Sequence, residues 1–536
     1  ALFAGIGISV VQLEKTGADW RLVRDARPGQ GLNGQGFNRR ITPFTPVSFS
    51  GPAANHRWIA SGAQAFRAAI AADAPHETVP CGTLANCAGG QTPWGTYLTA
   101  EENFDGYFAM TGTSPALEAA QADAAWLWAC GNTGTPLFSG SRARGTPAHY
   151  DVAQAPYGPA LYGWVVEIDP YDPASTPKKR TALGRFKHEC ATTALSRDGR
   201  VIVYSGDDQA GECVYKFISA GRFDPANRAA NANLLDDGQL YVAKLEADGS
   251  GRWLPLTAEA ANAAAAGYTA PFENQGDVVI RAREAARLLE ATPMDRPEDV
   301  EAILDENWVG QGQVFIACTN NRAARPDAPG NPLRAAPASD EGHQPNLAGH
   351  VLRFEEAGGD CASLEFRWDV FVFGGDPDAS EAPIDTPQGV PGYLSVLRDG
   401  EKLNLGARFA CPDNLCFDRA GNVWIATDGS PAVFGDCNDS VMVVSAAASG
   451  PKNIKRFLTG PVGAEICGPT FARDGRTFFA AIQHPGESDA AGQSFSDVRW
   501  GAAGAKPASS FPDGAGAWPR SAVVYVVKED GGLIGE

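Results

Sequence analysis

The sequence lacks the patterns that mark several common enzyme and membrane classes. It contains no run of about 18 or more apolar residues, so we expect no transmembrane helix. Its seven histidines form no HExxH spacing, and neither a GxSxG elbow nor a P-loop is present. Basic residues are also few, since 44 Lys and Arg stand against 63 Asp and Glu for a net charge of −19, with no basic stripe. We therefore expect no nucleic-acid partner.

The abundant residues indicate a large, turn-rich protein. Glycine (61) and proline (38) are frequent, as expected for many short strands joined by turns, and 44% hydrophobic residues can build a large core. At 536 residues the chain is long for one domain, but all-β propellers are long single units, and no linker divides it. The acidic surplus suits a protein that holds hard cations such as calcium with carboxylates.

Pairs of apolar runs around a polar turn recur along the chain. A β-hairpin is predicted for the apolar runs 8–13 and 20–23, which are separated by the polar turn 16–19. The same pattern predicts strands at 163–168, 201–205, 214–218, 314–318, 351–354, 423–427 and 478–482. An Asp/Gly turn feeds a strand at 197–201, 418–424 and 473–478. Repeats of this kind are typical of β-propeller blades.

A few segments interrupt the strand pattern. Residues 115–129 and 258–267 are Ala-rich, and 278–291 combines charged and apolar residues, so we expect helical insertions on the rim of the propeller. Residues 324–347, rich in Pro, Ala, Asn and Asp, predict a surface loop.

The stretch 84–104 combines a thiol, a glycine pair and two carboxylates. Cys87 precedes glycines 89–90, where the backbone can turn in ways closed to other residues and approach another group closely. A predicted strand then leads to Glu101 and Glu102. Thiolate and carboxylate are both anionic ligands, so the two ends of this unit could converge on a metal ion. The alternative is a buried Cys87 with two solvated glutamates.

Two further motifs place acidic residues beside predicted strands. The segment 184–189 ends in Glu189, ahead of Gly206-Asp207-Asp208. In 294–299, the proline at 297 biases Arg296 towards an extended shape, so that Arg296 and Glu298 share one face. Arginine can bind phosphate oxygens with its planar fork, and a neighbouring carboxylate can ligate a cation. Each motif also fits a surface charge cluster or a simple salt bridge.

The last two motifs contain Asp413 and Glu465. Pro412-Asp413-Asn414 is followed by Thr427-Asp428-Gly429, and 463–465 is followed by 483–487. Asp, Asn and Glu supply the oxygen ligands that calcium prefers. Asp and Asn are also the commonest loop residues, so one such motif alone would mean little.

In combination, these motifs resemble the PhoX family of secreted bacterial alkaline phosphatases. The resemblance rests on 86–90, 92–97 and 101–103 together with the later stretches in the same order, and it covers nearly all of the chain. It implies a single all-β domain over residues 1–536, a six-bladed β-propeller with helical and loop insertions. It also implies a phosphomonoesterase whose channel holds Fe3+ and Ca2+ bridged by an oxo group. The implied metal ligands are Cys87, Glu102, Glu189, Glu298, Asp413 and Glu465, and the implied catalytic residues are Arg296, as a phosphate contact, and Cys87.

The resemblance also implies a cellular setting. The family is exported through the twin-arginine route, so we expect a periplasmic or secreted monomer acting on small phosphate esters of broad range. The family carries further sequence upstream, including an Asn-His-Glu motif, and we expect this N-terminal segment to be missing from the chain. Two other functions stay open: another hydrolase on the same scaffold, such as a phosphodiesterase or lactonase, and a non-catalytic calcium-binding propeller.

The cysteine count leaves two readings open. Eleven is an odd number for a secreted protein, but ten remain if Cys87 is a ligand, and ten can pair. Cys411 and Cys416 are a candidate pair, whereas some of the ten can equally be buried thiols.

Overall fold

A computed structural model describes residues 6–23, 36–70, 78–130, 150–265, 270–325, 329–330, 344–380, 384–385, 391–392, 394, 396–398, 401–446, 450–486, 507–514 and 516–535. In chain order its strands are β1 (Ile8–Val10), β2 (Leu13–Thr16), β3 (Asp19–Leu22), β4 (Arg39–Ile41), β5 (Ser48–Ser50), β6 (Asn86–Gln91), β7 (Tyr97–Glu101), β8 (Val165–Ile168), β9 (Lys178–Arg180), β10 (Thr192–Leu195), β11 (Arg200–Gly206), β12 (Val214–Arg222), β13 (Gly238–Leu245), β14 (Ser250–Pro255), β15 (Pro297–Leu304), β16 (Gly310–Cys318), β17 (Asn321–Arg325), β18 (Gln344–Asn346), β19 (His350–Glu356), β20 (Glu365–Phe373), β21 (Ile384–Asp385), β22 (Pro391–Gly392), β23 (Leu397–Arg398), β24 (Glu401–Lys402), β25 (Asn404–Gly406), β26 (Pro412–Phe417), β27 (Asn422–Thr427), β28 (Ser440–Ser445), β29 (Lys452–Thr459), β30 (Glu465–Phe471), β31 (Thr477–Gln483) and β32 (Ala522–Val527). The helices are α1 (Arg57–Ile70), α2 (Pro115–Gln121), α3 (Trp126–Cys130), α4 (Ala258–Ala264), α5 (Gln275–Ile280), α6 (Ala282–Leu288) and α7 (Ser430–Phe434).

The larger sheets are built from antiparallel meanders, whose strands are consecutive in the chain except where β19 follows β16. Three of them are β6-β7-β8-β9 with β5 added at its edge, β26-β27-β28-β29 with β25 added, and β30-β31-β32. Two more meanders, β10 to β14 and β15-β16-β19-β20, join edge to edge through β14 and β20. Meanders of this kind are the blades of a propeller, so the predicted all-β propeller is confirmed. The number of six blades stays a prediction.

The first strand of each meander lies beside the first strand of the next. β10 contacts both β6 and β15, and β26 contacts both β15 and β30. We call β6, β10, β15, β26 and β30 the inner strands, and the space that they line the channel. Because these strands are adjacent, side chains at corresponding positions on them can meet in the channel.

Tight Asp/Gly turns join inner strands to the strands that follow them. Between β26 and β27, Asp418 Oδ1 accepts hydrogen bonds from the backbone N–H groups of Ala420 and Asn422 at 3.0 and 2.9 Å. Gly421 in this turn has a φ of +79°, a left-handed conformation that glycine adopts without steric cost. Glycines at 199 and 475 have φ values of +84° and +68° in the turns before β11 and β31. The repeated sequence motif is therefore the blade turn.

The strand predictions agree with the structure, with one exception. The seven predicted internal strands correspond to β8, β11, β12, β16, β19, β27 and β31. The predicted N-terminal hairpin is only half right. β2 pairs with β3 across the 16–19 turn, but β1 pairs with β4, with Ile8 opposite Ile41. Asn38 holds the chain between β1 and β2 through a 2.6 Å bond from the Gln12 N–H, which separates the two strands.

The helical segments are shorter and more broken than predicted. Residues 115–129 form α2 and α3, and 278–291 is divided between α5 and α6 at Arg281, whose ψ of 36° is not helical. The predicted 258–267 helix ends at Ala264, and 266–269 lie outside the described residues. The predicted loop 324–347 also lies largely outside them, although its two ends form β17 and β18. Among the described residues, no helix is both long and apolar enough to cross a membrane.

Helix α1 was missed by the sequence analysis. Its apolar side chains Trp58, Ile59, Ala63 and Phe66 are buried, while residues 60, 61 and 64 are exposed. This i, i+1, i+5, i+8 spacing places the apolar side chains on one face of a helix. The sequence analysis did not detect it because the neighbouring segments have the pattern of short strands.

All eleven cysteines lie within the described ranges, and each is a free thiol. The candidate Cys411–Cys416 disulfide is therefore wrong. Cys411 immediately precedes β26 and Cys416 lies within it. Five residues of extended chain span about 16 Å, whereas a disulfide needs Cα atoms within about 7 Å.

Candidate metal centre and phosphate-binding site

Each inner strand brings one predicted ligand into the channel at its beginning. Cys87, Glu298 and Asp413 are the second residues of β6, β15 and β26, Glu465 is the first residue of β30, and Glu189 precedes β10 by three residues. The backbone two residues before four of them is left-handed, with φ values of 53° at Ala85, 55° at Arg296, 55° at Cys411 and 65° at Gly463. A recurring bend thus turns the chain into the channel just ahead of the ligand.

The strand register repeats around the same positions. The residue before the ligand pairs across the sheet as Asn86–Glu101, His188–Asp207, Pro297–Cys318 and Pro412–Thr427. The next residue on the second strand of each blade is Glu102, Asp208, Thr319 or Asp428. The N–H groups of these four residues donate to the carbonyls of Ala85, Lys187, Arg296 and Cys411 at 2.9, 3.0, 3.1 and 3.0 Å. The fold therefore places a second polar side chain beside each of these ligands.

Seven side chains converge into what we call the ligand row. It comprises three overlapping groups, Cys87 with Glu102 and Glu189, Glu189 with Glu298 and Asp413, and Asp413 with Glu465 and Cys467. Within each group one ligand atom from every residue lies within 4.8 Å of the others. Glu189 and Asp413 are each shared by two groups, so the row is continuous across the channel. All six predicted ligands are members of it.

The thiol at one end of the row is held by a neighbouring carboxylate. Cys87 Sγ donates to Glu189 Oε1 at 2.8 Å. Burial raises the pKa of the Cys87 thiol, and the charge of Glu189 raises it further. Glu189 is 1% exposed, and its pKa is well above the ordinary value because of burial and the carboxylates of Glu298 and Glu102. These groups repel one another when ionised, and a bound cation would relieve that repulsion.

The glycine pair beside Cys87 has a packing role. Residues 89 and 90 lie within β6 rather than in the predicted turn. A Cβ at Gly89 would stand 2.0 Å from the Leu98 carbonyl oxygen, and one at Gly90 would stand 2.1 Å from that of Ala191. The predicted close approach is thus correct and the predicted turn is wrong. Glycine here lets β6 lie tight against its neighbours.

Only one of the two adjacent glutamates faces the ligand row. Glu102 is in the row, and burial followed by the nearby Asp208 raises its pKa well above the ordinary value. Glu101 is fully buried on the other side of the strand, where Lys179 Nζ contacts its Oε1 at 2.8 Å. Because successive side chains on a strand alternate, the predicted convergence of both carboxylates is wrong for Glu101.

Arg296 lies next to the row and is held by two carboxylates. Its Nε and Nη2 donate to the two oxygens of Asp208 at 2.7 and 3.0 Å, and Nη2 lies 2.8 Å from Glu298 Oε1. Although burial opposes it, the Arg296 guanidinium holds the pKa of Asp208 below its usual range. The side chain is 28% exposed. This fixed fork leaves Nη1 for a ligand, since no contact with a described residue engages that atom.

The predicted extended conformation of Arg296 is wrong. Its φ is 55°, a left-handed value rarely adopted by a residue with a side chain. Its N–H donates to the Met294 carbonyl at 3.1 Å, and its carbonyl accepts from Thr319 at 3.1 Å. These contacts, together with the Asp208 fork, override the local preference imposed by the following proline. Arg296 and Glu298 do lie together, but through this bend rather than along an extended face.

The far end of the row is built around Glu465. Its Oε2 lies 2.8 Å from His484 Nε2, and both of its oxygens accept from Gln483 Nε2 at 3.2 and 3.1 Å. Asp428 is adjacent, and burial followed by the charge of Glu465 raises the pKa of its carboxyl to about 8. Glu487, at the end of the same sequence motif, lies outside the described residues.

Three residues of the site were missed or undervalued from the sequence. Asp208 was noted only as part of Gly206-Asp207-Asp208, Asp428 was included only as a possible oxygen ligand in the motif after Asp413, and Cys467 was not singled out. The signal for the two aspartates is their position one residue beyond a cross-strand pair, which requires the register. The signal for Cys467 is its position two residues after Glu465, on the same face of β30. His188, by contrast, has a structural position, with hydrogen bonds to Ser205 and Gly184 at 2.8 and 2.9 Å.

The donor chemistry of the ligand row fits a centre of more than one kind of metal. Thiol sulfur is a soft donor that suits iron, while carboxylate oxygens are hard donors that suit calcium. Glu189, Glu298 and Asp413 are at most 4% exposed, so their charges lack the stabilisation that water would give. The carboxylates of such a row can all be ionised together only when bound cations neutralise their charge.

Comparisons with known proteins show the family of the chain. The family model for alkaline phosphatase PhoX matches residues 2–486. The structure of Pseudomonas fluorescens PhoX in complex with vanadate, a transition state analogue, is 35% identical with a TM-score of 0.73, covering 99% of this chain and 81% of that chain. Among curated protein sequences, none matches.

Two other solved structures are much less similar. A luciferin-regenerating enzyme is 8% identical with a TM-score of 0.22, covering 60% of this chain and 76% of its own. The GH43_1 enzyme from Xanthomonas citri complexed with xylose is 11% identical with a TM-score of 0.23, covering 60% of this chain and 72% of its own. Neither bears on the fold or function. Because the family model matches residues 2–486, which is most of the chain, the chain belongs to the alkaline phosphatase PhoX family.

Proposed function

We propose that this phosphatase hydrolyses phosphate monoesters at a mixed metal centre in the channel, with Fe3+ at the thiolate end and Ca2+ at the carboxylates. The proposed ligands are Cys87, Glu102, Glu189, Glu298, Asp413 and Glu465. The observation that carries the proposal is their convergence into one largely buried row beside Arg296, with five of them at or just before the start of the five inner strands and Glu102 directly after β7. Buried carboxylates this close are stable as anions only with cations between them.

Arg296 is proposed to bind and orient the phosphate. Asp208 fixes its guanidinium from one side through two hydrogen bonds, so little side-chain freedom is lost when a substrate binds. The remaining nitrogen, Nη1, can donate to the phosphate oxygens, where charge builds up as the ester bond breaks. Metal ions held by the row would neutralise the phosphate and activate an oxygen nucleophile.

The vanadate complex of the Pseudomonas fluorescens protein supports phosphoryl transfer as the reaction. Recognition centred on the phosphate requires little of the leaving alcohol, so we propose a broad range of small phosphate esters. We further propose that the chain acts as a monomeric propeller, one domain over residues 1–536.

We also propose that the protein is exported to the periplasm or secreted after folding. Eleven free thiols support this order, because disulfides are rare in proteins that fold in the reducing cytoplasm. Twin-arginine export, which the family resemblance implies, carries folded proteins.

The proposal is tested on protein purified without chelator. Elemental analysis should find iron and calcium, and p-nitrophenyl phosphate should be hydrolysed much faster than its bis-ester or a lactone. Preferential hydrolysis of the bis-ester or the lactone would favour another hydrolase on the same scaffold. Calcium without iron and without any of these activities would favour a non-catalytic binding propeller.

A further inference from the structure

Cys467 shares a strand face with a proposed ligand. Glu465 and Cys467 are the first and third residues of β30, so both side chains point to the same side of the sheet. Glu465 faces the ligand row, and Cys467 is therefore directed there as well. Its thiol is half-buried, unlike the fully enclosed thiols of the blade cores.

The Cys467 thiol lies at a distance from two carboxylates that suits a metal ligand. Cys467 Sγ donates to Glu465 Oε1 at 2.8 Å, and one ligand atom from each of Asp413, Glu465 and Cys467 lies within 4.8 Å of the others. The ligand atoms at the other end of the row, from Cys87, Glu102 and Glu189, also lie within 4.8 Å of one another. Each end thus presents one thiol and two carboxylates.

The backbone next to Cys467 is fixed to the rest of the row. The Gly468 N–H donates to Asn414 Oδ1 at 2.8 Å, and Asn414 Nδ2 lies 3.4 Å from both Glu189 Oε1 and Asp413 Oδ1. Asn414 is 2% exposed, so this link between β26 and β30 is buried. The backbone that carries the thiol is therefore fixed relative to the rest of the row.

We propose that Cys467 is a second thiolate ligand of the metal centre, binding a transition-metal ion together with Asp413 and Glu465. The proposal rests on the metal centre proposed above. Thiolate selects transition metals such as iron, whereas a site of oxygens alone suits calcium. The two ends of the row are then transition-metal positions, and Glu189, Glu298 and Asp413 between them form the calcium-type position. On binding, the Cys467 thiol loses its proton to solvent and forms a sulfur–metal bond.

The alternative is that Cys467 only donates a hydrogen bond to Glu465. A serine hydroxyl can also donate this bond but is a poor transition-metal ligand, so Cys467→Ser separates the two roles. Cys437→Ser is the matched control, because Cys437 is also half-buried and belongs to no ligand group among the described residues. Cys87→Ser is prepared in parallel.

The first measurement is transition-metal content per chain in protein purified without chelator. Cys467→Ser should lose about half of the content, because one of two thiolate positions is removed. Cys437→Ser should match wild type. Wild-type content in Cys467→Ser would overturn the proposal. Loss in Cys87→Ser but not in Cys467→Ser would overturn this inference while leaving the metal centre intact, whereas wild-type protein free of transition metal would overturn both.

The second measurement needs no variant and decides the matter if Cys467→Ser does not fold. Folded wild-type protein is treated with an alkylating thiol reagent before and after metal removal, and labelling of the Cys467 peptide is quantified by mass spectrometry. Cys467 should be protected in the metal-loaded protein and labelled at least about tenfold faster after chelation, since a bound metal occupies the sulfur that must attack the reagent. Equal labelling in both states would refute the proposal, with Cys437 as the internal reference.

Discussion

Replacing Arg296 by alanine removes the one cation in the described part of the chain that directly contacts Asp208 and Glu298. In the folded protein three short contacts, of 2.7, 3.0 and 2.8 Å, hold the guanidinium in a single orientation. If Nη1 contacts the phosphate, the variant loses a preorganised, charged hydrogen-bond donor. Loss of one such donor lowers kcat by about 100- to 1000-fold, or roughly 2.7–4 kcal/mol of transition-state stabilisation.

Arg296→Lys should have an intermediate effect. Lysine keeps the positive charge but is a point charge without a fork, so it cannot contact Asp208 through two donors and still present another to phosphate. The control is Arg353→Ala on β19, where the guanidinium forms the same two-point contact with Asp369 at 3.0 and 2.8 Å. Arg353 is 22% exposed, close to the 28% of Arg296, but it lies outside the ligand row.

The assay is kcat/KM on p-nitrophenyl phosphate, with metal content measured on the same samples. We expect Arg353→Ala to equal wild type and Arg296→Ala to lose the stated factor at normal metal content. An Arg296→Ala protein with full metal and wild-type kcat/KM would refute the phosphate-binding role. Arg296 would then be only the counter-charge of two buried carboxylates.

Three further predictions follow from the ligand row and its surroundings. Cys87→Ser should lose the iron held at the Cys87 end of the row, and activity with it, but leave the propeller folded, because a serine hydroxyl resists ionisation; full iron and full activity in the variant would contradict this. Prolonged dialysis against EGTA should abolish activity and lower Tm, since ions that bind only the folded state stabilise it, and unchanged activity in protein shown to be calcium-free would exclude the calcium role. Burial lowers the pKa of His188 to about 3, so the imidazole stays neutral in the folded protein while the unfolded chain protonates it below about pH 6.5. The stability contributed by neutral His188 is thus complete above that pH and lost as the pH falls towards 3. Between about pH 7 and 4, the Tm of His188→Gln should decline less than the Tm of wild type. Parallel curves of Tm against pH for the two proteins would show that His188 does not cause the loss of stability in acid.

The sequence predicted the parts of the fold that depend on local pattern. Alternating apolar residues and Asp/Gly turns were enough for the strands, because these features act over a few neighbouring residues. The broken helices show the limit of this approach, since Arg281 ends α5 through a conformation that composition does not reveal. Helix α1 was missed because its stripe lies between short strands.

The site could be predicted in identity but not in geometry. Family motifs supplied the six proposed ligands, yet the outward position of Glu101 depends on Lys179, 78 residues further along the chain. The bend at Arg296 likewise depends on Asp208, which is 88 residues away. Local rules about proline and strand alternation cannot include such contacts, so the second side chain in each blade became visible only with the register.

The distribution of one ligand per inner strand has a consequence for how the protein matures. Cys87 and Glu465 lie near opposite ends of the folded chain, so the complete row exists only after the meanders have closed against one another. Contacts between such distant segments form late, because loop-closure entropy opposes them. An ion that meets a partly folded chain finds at most one or two of its partners and dissociates readily. We expect metal uptake to be the last event of maturation, and it would distinguish a finished molecule from one whose meanders have not yet closed against one another.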